Sequence, residues 1–367
     1  MGLYQECLGM DKKIAFVTGA SGFIGHWVVR ELLKNDFEVI ALFRNPEVQF
    51  PRIKTWLGSR GVNSPIRAVK GDLTQPDFAL ESDALEALSS ITHIFHLGGS
   101  MRWNMSRGEA RGVNLAPLST LVTLAKNAVN FQRFVQFSGF MIRNFALREE
   151  IGLANCPRPA EYNWNQLYRR FGGYEASKFE FHFKLVNQLQ MLKIPYTVIH
   201  PASVIGDSES GEVISEDLVS LADVLYRKKL PAIPGRRQDV MPLIPVDFLA
   251  RFAVAITSSD ETEGEEYVLL DPRSPDLLTF LEMLGKGLGV KVPRRRVPIS
   301  WLMLLMKLGF GRWLPLPVEP LAFVTNYSFD TSNTERIASH LQLQWPCPES
   351  YIAHMALYLR EQVVLSN

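Results

Sequence analysis

Residues 13–44 read KIAFVTGASGFIGHWVVRELLKNDFEVIALFR. The run Ile14 to Val17 is short and wholly apolar, as a parallel strand buried on both faces requires. Gly19, Gly22 and Gly25 follow at the spacing G-x-x-G-x-x-G. The first glycine permits a sharp turn, the second lets the backbone approach a pyrophosphate, and the third lets a helix lie against the strand. An amphipathic helix and a second apolar strand ending at Arg44 complete a β-α-β unit, the setting that gives such a glycine pattern its meaning. The N–H groups that open the helix suit phosphate oxygens.

The alternation continues downstream. IRAVKGDL, ITHIFHLGG and RFVQFSG are apolar runs that end in small or polar residues, and the helical stretches DFALESDALEALSS and NLAPLSTLVTLAKNAV lie between them. Alternating strands and helices predict an α/β fold with a doubly wound parallel sheet. Ligands of such sheets bind at the carboxyl ends of the strands, where Asp72, Gly98, Gly99 and Ser138 fall. Asp72 with Leu73 is placed to meet an adenine ring, and a helix N-cap is the other reading of Asp72. The second strand ends ALFR, with Arg44 and no acid at its end. An acid there would bind a ribose 2′-hydroxyl, whereas a guanidinium pairs with a 2′-phosphate, so the pattern favours NADP over NAD. Arg52 and Lys54 lie close enough in sequence to assist.

Further on, FGGYEASKFEFHFKL places Tyr174 four positions before Lys178. On a helix these share one face, and a nearby ammonium favours the phenolate, as a proton donor to a carbonyl needs. Taken in order, TGASGFIG, GDL, HLGG, the strand ending in Ser138 and YEASK resemble the extended short-chain dehydrogenase/reductase family over about residues 12–270. The resemblance implies a Rossmann sheet, a nicotinamide cofactor, and a catalytic Tyr174 and Lys178. By this resemblance Tyr174 transfers the substrate proton, and Lys178 holds the nicotinamide ribose. The cofactor is expected at Gly19, Ser21, Gly22, Phe23, Ile24 and Gly25, at Arg44, Asp72, Leu73, Gly98 and Gly99, and at the reactive pair itself.

One position departs from the pattern. Family members carry two small hydroxyl residues in a row after the fifth strand, the second of which polarises the carbonyl. Here Ser138 fills the first position and Gly139 the second. Either Ser138 takes the role as a third catalytic residue, or another donor does, or the chemistry proceeds without it or is lost. Pro201, Ala202, Ser203 and Val204 resemble the family's loop beside the nicotinamide, with His200 in place of the usual arginine. GDSESGE (206–212), the segment leading to VDFLARF, and YSFDTSNTERIASHL (327–341) resemble thioester reductases and fatty acyl reductases.

Composition sets the outer bounds. The 367 residues carry 39 basic and 38 acidic side chains, so no global field marks a nucleic-acid binder. Cys7, Cys156 and Cys347 are too scattered for a disulfide framework or a metal motif, and His93 and His96 lack a third ligand at usable spacing, so no metal is expected. No signal peptide is read at the N-terminus, Glu6 breaks the myristoylation pattern, and no long uncharged apolar run appears, which predicts a cytoplasmic protein. The expected domains are a Rossmann half, 12–200 plus about 237–270, and a smaller discontinuous lobe, about 201–236 plus 271–367. Residues 139–172 read as a polar, proline-bearing loop over the active site. Residues 286–312 hold seven basic side chains and no acid around an apolar stretch at Trp301–Met306. They read either as a buried helix with arginines on its rim, or as a substrate lid touching anionic lipid at the membrane periphery.

Three functions remain open on this reading. The first is NADPH-dependent reduction of an acyl thioester, acyl-CoA or carrier-bound, or of an aldehyde derived from it. The second is an NADP-dependent ketone or alcohol dehydrogenase on a steroid-like, terpenoid or polyketide substrate. The third, prompted by Gly139, is a dinucleotide-binding protein without turnover. The partner expected is a hydrophobic small molecule, with an acyl carrier admitted by the resemblance and no nucleic acid, and the chain is expected to be a monomer or homodimer.

Overall fold

The computed structural model describes residues 12–100, 102, 105–227, 232–235, 239–298 and 329–365. Its central sheet is built from seven strands: β1 (Ile14–Thr18), β2 (Glu38–Phe43), β3 (Ile66–Lys70), β4 (His93–His96), β5 (Arg133–Phe137), β6 (Tyr196–Pro201) and β10 (Glu266–Leu269). They run parallel in the order β10-β6-β5-β4-β1-β2-β3. Two short parallel pairs stand apart: β7 (Ser203–Ile205) with β9 (Leu243–Pro245), and β8 (Ile233–Pro234) with β11 (Arg296–Val297). The strand order reverses between β1 and β4, the switch point at which doubly wound sheets open a crevice.

The molecule divides into two compact units. The first is Met1–Ile199 with Ala253–Glu266. β1 is buried throughout and β2 after Glu38, whereas β3 exposes Arg67 and Lys70. Helices α1 (Phe23–Lys34), α2 (Pro46–Gly58), α3 (Ser82–Leu88), α4 (Arg107–Asn114), α5 (Pro117–Asn127), α6 (Phe145–Glu150) and α7 (Trp164–Met191) belong to this unit. Phe16, Ile94, Phe134 and Val198 from four strands join Leu121 of α5 and Leu185 of α7 in one core. The second unit is His200–Phe252 with Tyr267–Asn367. In it α8 (Glu216–Tyr226) and α10 (Leu277–Leu288) pack with the helix Pro348–Leu365, and α9 (Val246–Ala255) begins there. Gly211 takes a left-handed φ of 72° and touches the backbone of His354, which fixes the GDSESGE loop to the last helix.

Two expectations are corrected. Residues 139–172 are not a loop: Phe140–Arg143 and Pro159–Glu161 form single 3-10 turns, α6 is helical, and α7 starts at Trp164. The reason lies in the apolar residues among the polar ones. Ile142, Leu147, Ile151, Leu153, Trp164 and Leu167 bury together against Tyr174, Ala176 and Phe179. Arg294 to Arg296 are not on a helix either, because α10 stops at Gly289 (φ 74°) and Arg296 already belongs to β11. The apolar stretch Trp301–Met306 and the beginning of the 327–341 motif lie outside the described residues. No helix among the described residues is long and apolar enough to cross a membrane.

Candidate active site

The glycine turn leads from β1 into α1. Gly19 has φ 75°, and a Cβ there would stand 2.8 Å from the backbone nitrogen of Gly98. Only glycine combines that conformation with that approach. A Cβ on Gly25 would run into the carbonyl of Gly19, so α1 sits directly on the turn. Gly22 caps α1 with no side-chain hydrogen bond and no acid follows in the first turn. Phe23, Ile24 and Gly25 are therefore the helix-start N–H groups that no cap satisfies. Ser21 accepts a bond from Gln49 Nε2 (3.0 Å), and Gln49 Oε1 accepts one from the Asn45 amide (2.8 Å), tying the turn to the end of β2.

Arg44 follows β2 with its side chain mostly exposed, and its Nε lies 3.3 Å from Asp72 Oδ2. Asp72 Oδ1 accepts from the amide (2.9 Å) and the hydroxyl (2.8 Å) of Thr74. Burial pushes the Asp72 carboxyl up, but Thr74 and Arg44 outweigh it and leave its pKa below the usual carboxylate value. Asp72 thus closes its own turn after β3 and caps no helix. Leu73 leans on Gly98, whose amide donates to Thr18 Oγ1 (3.2 Å), and that hydroxyl pairs with His96 Nδ1 (2.7 Å). Burial holds His96 at about 3, so it stays neutral.

Tyr174 and Lys178 lie on α7 just past a break. Gly172 has φ 77° and ψ −179°, so α7 is two helical segments meeting there. Gly173 then presses on the Met105 carbonyl and Ala110, which seats the second segment against α4. The Tyr174 residue is buried, and the Lys178 ammonium stands 4.7 Å from its ring centroid. Burial works against the Lys178 charge, but Tyr174 and Glu175 outweigh it and raise the lysine pKa. Ser138 is buried at the end of β5, and its amide donates to the Ile199 carbonyl (2.8 Å). Gly139 comes next, and a Cβ there would lie 3.9 Å from Lys178 Nζ, an ordinary contact. Space alone therefore does not forbid a hydroxyl residue at 139.

Several contributors were not picked out from the sequence. Asn114 Oδ1 accepts from the Ser100 amide (2.8 Å) and its Nδ2 donates to Ser177 Oγ (2.9 Å), linking the loop after β4 to the YEASK helix. Glu180, fully buried, takes Arg111 (2.8 Å), Lys184 (2.7 Å) and the Tyr168 hydroxyl (2.9 Å), which clasps α4 and both segments of α7. Glu175 sits beside the reactive pair. Neither Asn114 nor Glu180 stands in a motif, and their main partners, Ser177 and Arg111, are 63 and 69 residues away. The first unit thus brings together the turn, Arg44, Asp72, Leu73, Gly98, Gly99, Ser138, Tyr174 and Lys178. Pro201 to Val204 belong to the second unit, where Ser203 and Val204 pair with Leu243 and Ile244.

Comparison with known proteins gives a consistent picture. A sequence profile of NAD-binding chains, described as "Male sterility protein", matches residues 17–253. L-2-aminoadipate reductase of Saccharomyces cerevisiae is 25% identical over 274 residues, which cover 68% of this chain and 19% of that protein. A linear gramicidin synthase of Brevibacillus parabrevis is 26% identical over 286 residues, 74% of this chain and 5% of that one. The chain therefore spans at most about a fifth of these relatives. In fold it is similar to the terminal R domain of the myxalamid PKS-NRPS pathway (TM-score 0.74, 21% identity, 96% of this chain and 91% of that one). It is also similar to a thiolation-reductase di-domain of an archaeal non-ribosomal peptide synthetase (TM-score 0.70, 18% identity, 95% and 75%).

Proposed function

Because this chain belongs to the male sterility protein family of NAD-binding proteins, we propose that it reduces a carbonyl with NADPH, the substrate being an acyl thioester or an aldehyde derived from it. The observation that carries the reading is the Tyr174–Lys178 pair in the same unit as a glycine turn and an uncapped helix start.

The residues present fit a dinucleotide. The turn has no side chain where Gly19 meets Gly98, and the start of α1 offers amides to a pyrophosphate. Arg44 keeps its guanidinium mostly in solvent with Asp72 as its carboxylate neighbour, so it is free to turn toward a 2′-phosphate. When bound, the nicotinamide supplies the hydride. Tyr174 gives its hydroxyl proton to the carbonyl oxygen as the carbon is reduced. Lys178 stabilises the phenolate left behind, and Ser138 is the side-chain hydroxyl at the end of β5 that can polarise the carbonyl. With a thioester, the reduced carbon then expels a thiol and leaves an aldehyde. A relative named as a reductase supports reduction, and the likeness to a thiolation-reductase di-domain favours a carrier-bound thioester as the substrate.

The test is NADPH consumption over acyl-CoAs, carrier-bound acyl thioesters, aldehydes and cyclic ketones. Tyr174→Phe keeps the ring and loses the proton, so turnover falls by about 10²–10⁴ while NADPH binding holds. Near-normal turnover in that variant overturns the assignment. Gly139 favours a second reading, a dinucleotide-binding protein without turnover. Tight NADPH binding with no reduction across the panel selects it.

A further inference from the structure

Gln49, near the start of α2, joins two stretches of the first unit: the glycine turn and the end of β2. Its side chain is half-buried and committed at both ends. Oε1 accepts from the Asn45 amide (2.8 Å), and Nε2 donates to Ser21 Oγ (3.0 Å), 28 residues away in the chain. The first bond fixes which way the amide points. A backbone N–H only donates, so the carbonyl oxygen faces Asn45 and the NH2 group faces Ser21. That in turn fixes the part played by the Ser21 hydroxyl. It accepts from Gln49, so its own proton is left to donate elsewhere. Among the described residues no other hydrogen bond reaches Ser21 Oγ. Asn45 is the residue after Arg44, so one amide group ties the glycine turn to the neighbour of the guanidinium.

We propose that Gln49 is a positioning residue for cofactor selectivity: it holds the Ser21 hydroxyl as a second donor, beside Arg44, to the 2′-phosphate of NADPH. The inference deepens the NADPH reading above and rests on it. Arg44 brings charge from a mostly exposed side chain, which has to be ordered on binding. Ser21 brings a hydrogen bond from a turn whose backbone is already set by Gly19 and Gly25. A hydroxyl donating to a charged oxygen makes one of the stronger hydrogen bonds, and orienting it beforehand lowers the cost of binding. Gln49 does this without a charge of its own. A glutamate in its place would accept the Ser21 O–H itself and repel the phosphate. NADH carries a hydroxyl where NADPH carries the phosphate, so it gains little from the same donor.

The experiment is cofactor binding and needs no substrate. Dissociation constants for NADPH and NADH are measured by nicotinamide fluorescence in wild type, Ser21→Ala, Gln49→Met and the double variant. Ser21→Ala weakens NADPH by about tenfold, the scale of one bond to a charged group, and leaves NADH nearly unchanged. Gln49→Met keeps the length of the side chain without either hydrogen bond, and weakens NADPH by about three- to tenfold. The double variant binds no more weakly than Ser21→Ala, because Gln49 acts only through that hydroxyl. Ser21→Thr, which keeps the hydroxyl, retains the preference for NADPH. If methionine disturbs α2, Gln49→Ala makes the same deletion with less bulk. A Gln49 variant that lowers the urea midpoint but leaves NADPH affinity alone shows a brace for α2 and overturns the proposal. Equal losses of NADPH and NADH in Ser21→Ala, or additive losses in the double variant, overturn it as well. A wild type that prefers NADH removes the NADPH reading and this inference together. A wild type that prefers NADPH, with the preference intact in both single variants, removes this inference alone.

Discussion

Arg44 closes β2 with a mostly exposed guanidinium 3.3 Å from Asp72. An exposed pair of this kind contributes little to folding, about 0–1 kcal/mol, so Asp72 gives Arg44 up easily to a stronger anion. Arg44→Ala therefore weakens NADPH binding by about tenfold or more, the scale of one lost bond to a charged group, and leaves NADH nearly unchanged. Dissociation constants from nicotinamide fluorescence check this. Equal losses for both cofactors, or a wild-type preference for NADH, would count against the 2′-phosphate role. The arginine was legible in the sequence because strand ends are legible. Its ion pair was not, because Asp72 arrives from the next strand.

Helix α7 shows what an element adds to a motif. YEASK predicts a helix, and the side chains around it fix where that helix starts and leans. The insertion 140–171 buries its own apolar side chains against Tyr174, Ala176 and Phe179. Its first helical segment meets the second at Gly172, whose φ of 77° and ψ of −179° fall in a region that only glycine occupies freely. A Cβ there meets nothing within 4 Å, so any cost of adding one is backbone strain rather than a clash. Gly172→Ala is expected to destabilise the protein by about 1–3 kcal/mol in urea unfolding. A variant as stable as wild type would mean that the helix accommodates an ordinary residue at the break. Across the same break Tyr168 and Glu180 are joined, and Arg111 brings α4 to the same carboxylate.

Across the whole molecule, pH acts through histidines that are wholly or partly buried. Burial is the main cause of depressed pKa values at His26 (about 4), His93 (about 3) and His96 (about 3), against an ordinary value of 6.5. The folded state therefore prefers all three neutral. Their contribution to stability is complete above pH 6.5 and is lost as pH falls toward 3–4, because the unfolded chain binds the protons first. Below 6.5 each histidine removes up to about 1.4 kcal/mol per pH unit. Urea midpoints measured from pH 7.5 to 4.5 should fall steadily below 6.5, and His96→Gln should flatten the slope. A midpoint flat down to pH 4.5 would refute the assignment. The paired histidines of ITHIFHLGG act here through burial: each bonds a hydroxyl, Thr92 for His93 and Thr18 for His96.

The sequence by itself determined the α/β class, the glycine turn and the YEASK helix. Each is local: a period of two or 3.6, a glycine where the chain must turn, a phenol and an ammonium one helical turn apart. Only the tertiary structure decided that the insertion is partly helical, that Arg294 to Arg296 lie off the helix, and that Asp72 turns to Thr74 and Arg44. It also supplied Asn114 and Glu180. These depend on which side chains meet after folding, and partners 63 or 69 residues apart leave no periodic trace in the chain. Burial then settles what a polar residue does, because a carboxyl in water and the same carboxyl beside a sheltered ammonium differ in energy though they are the same letter.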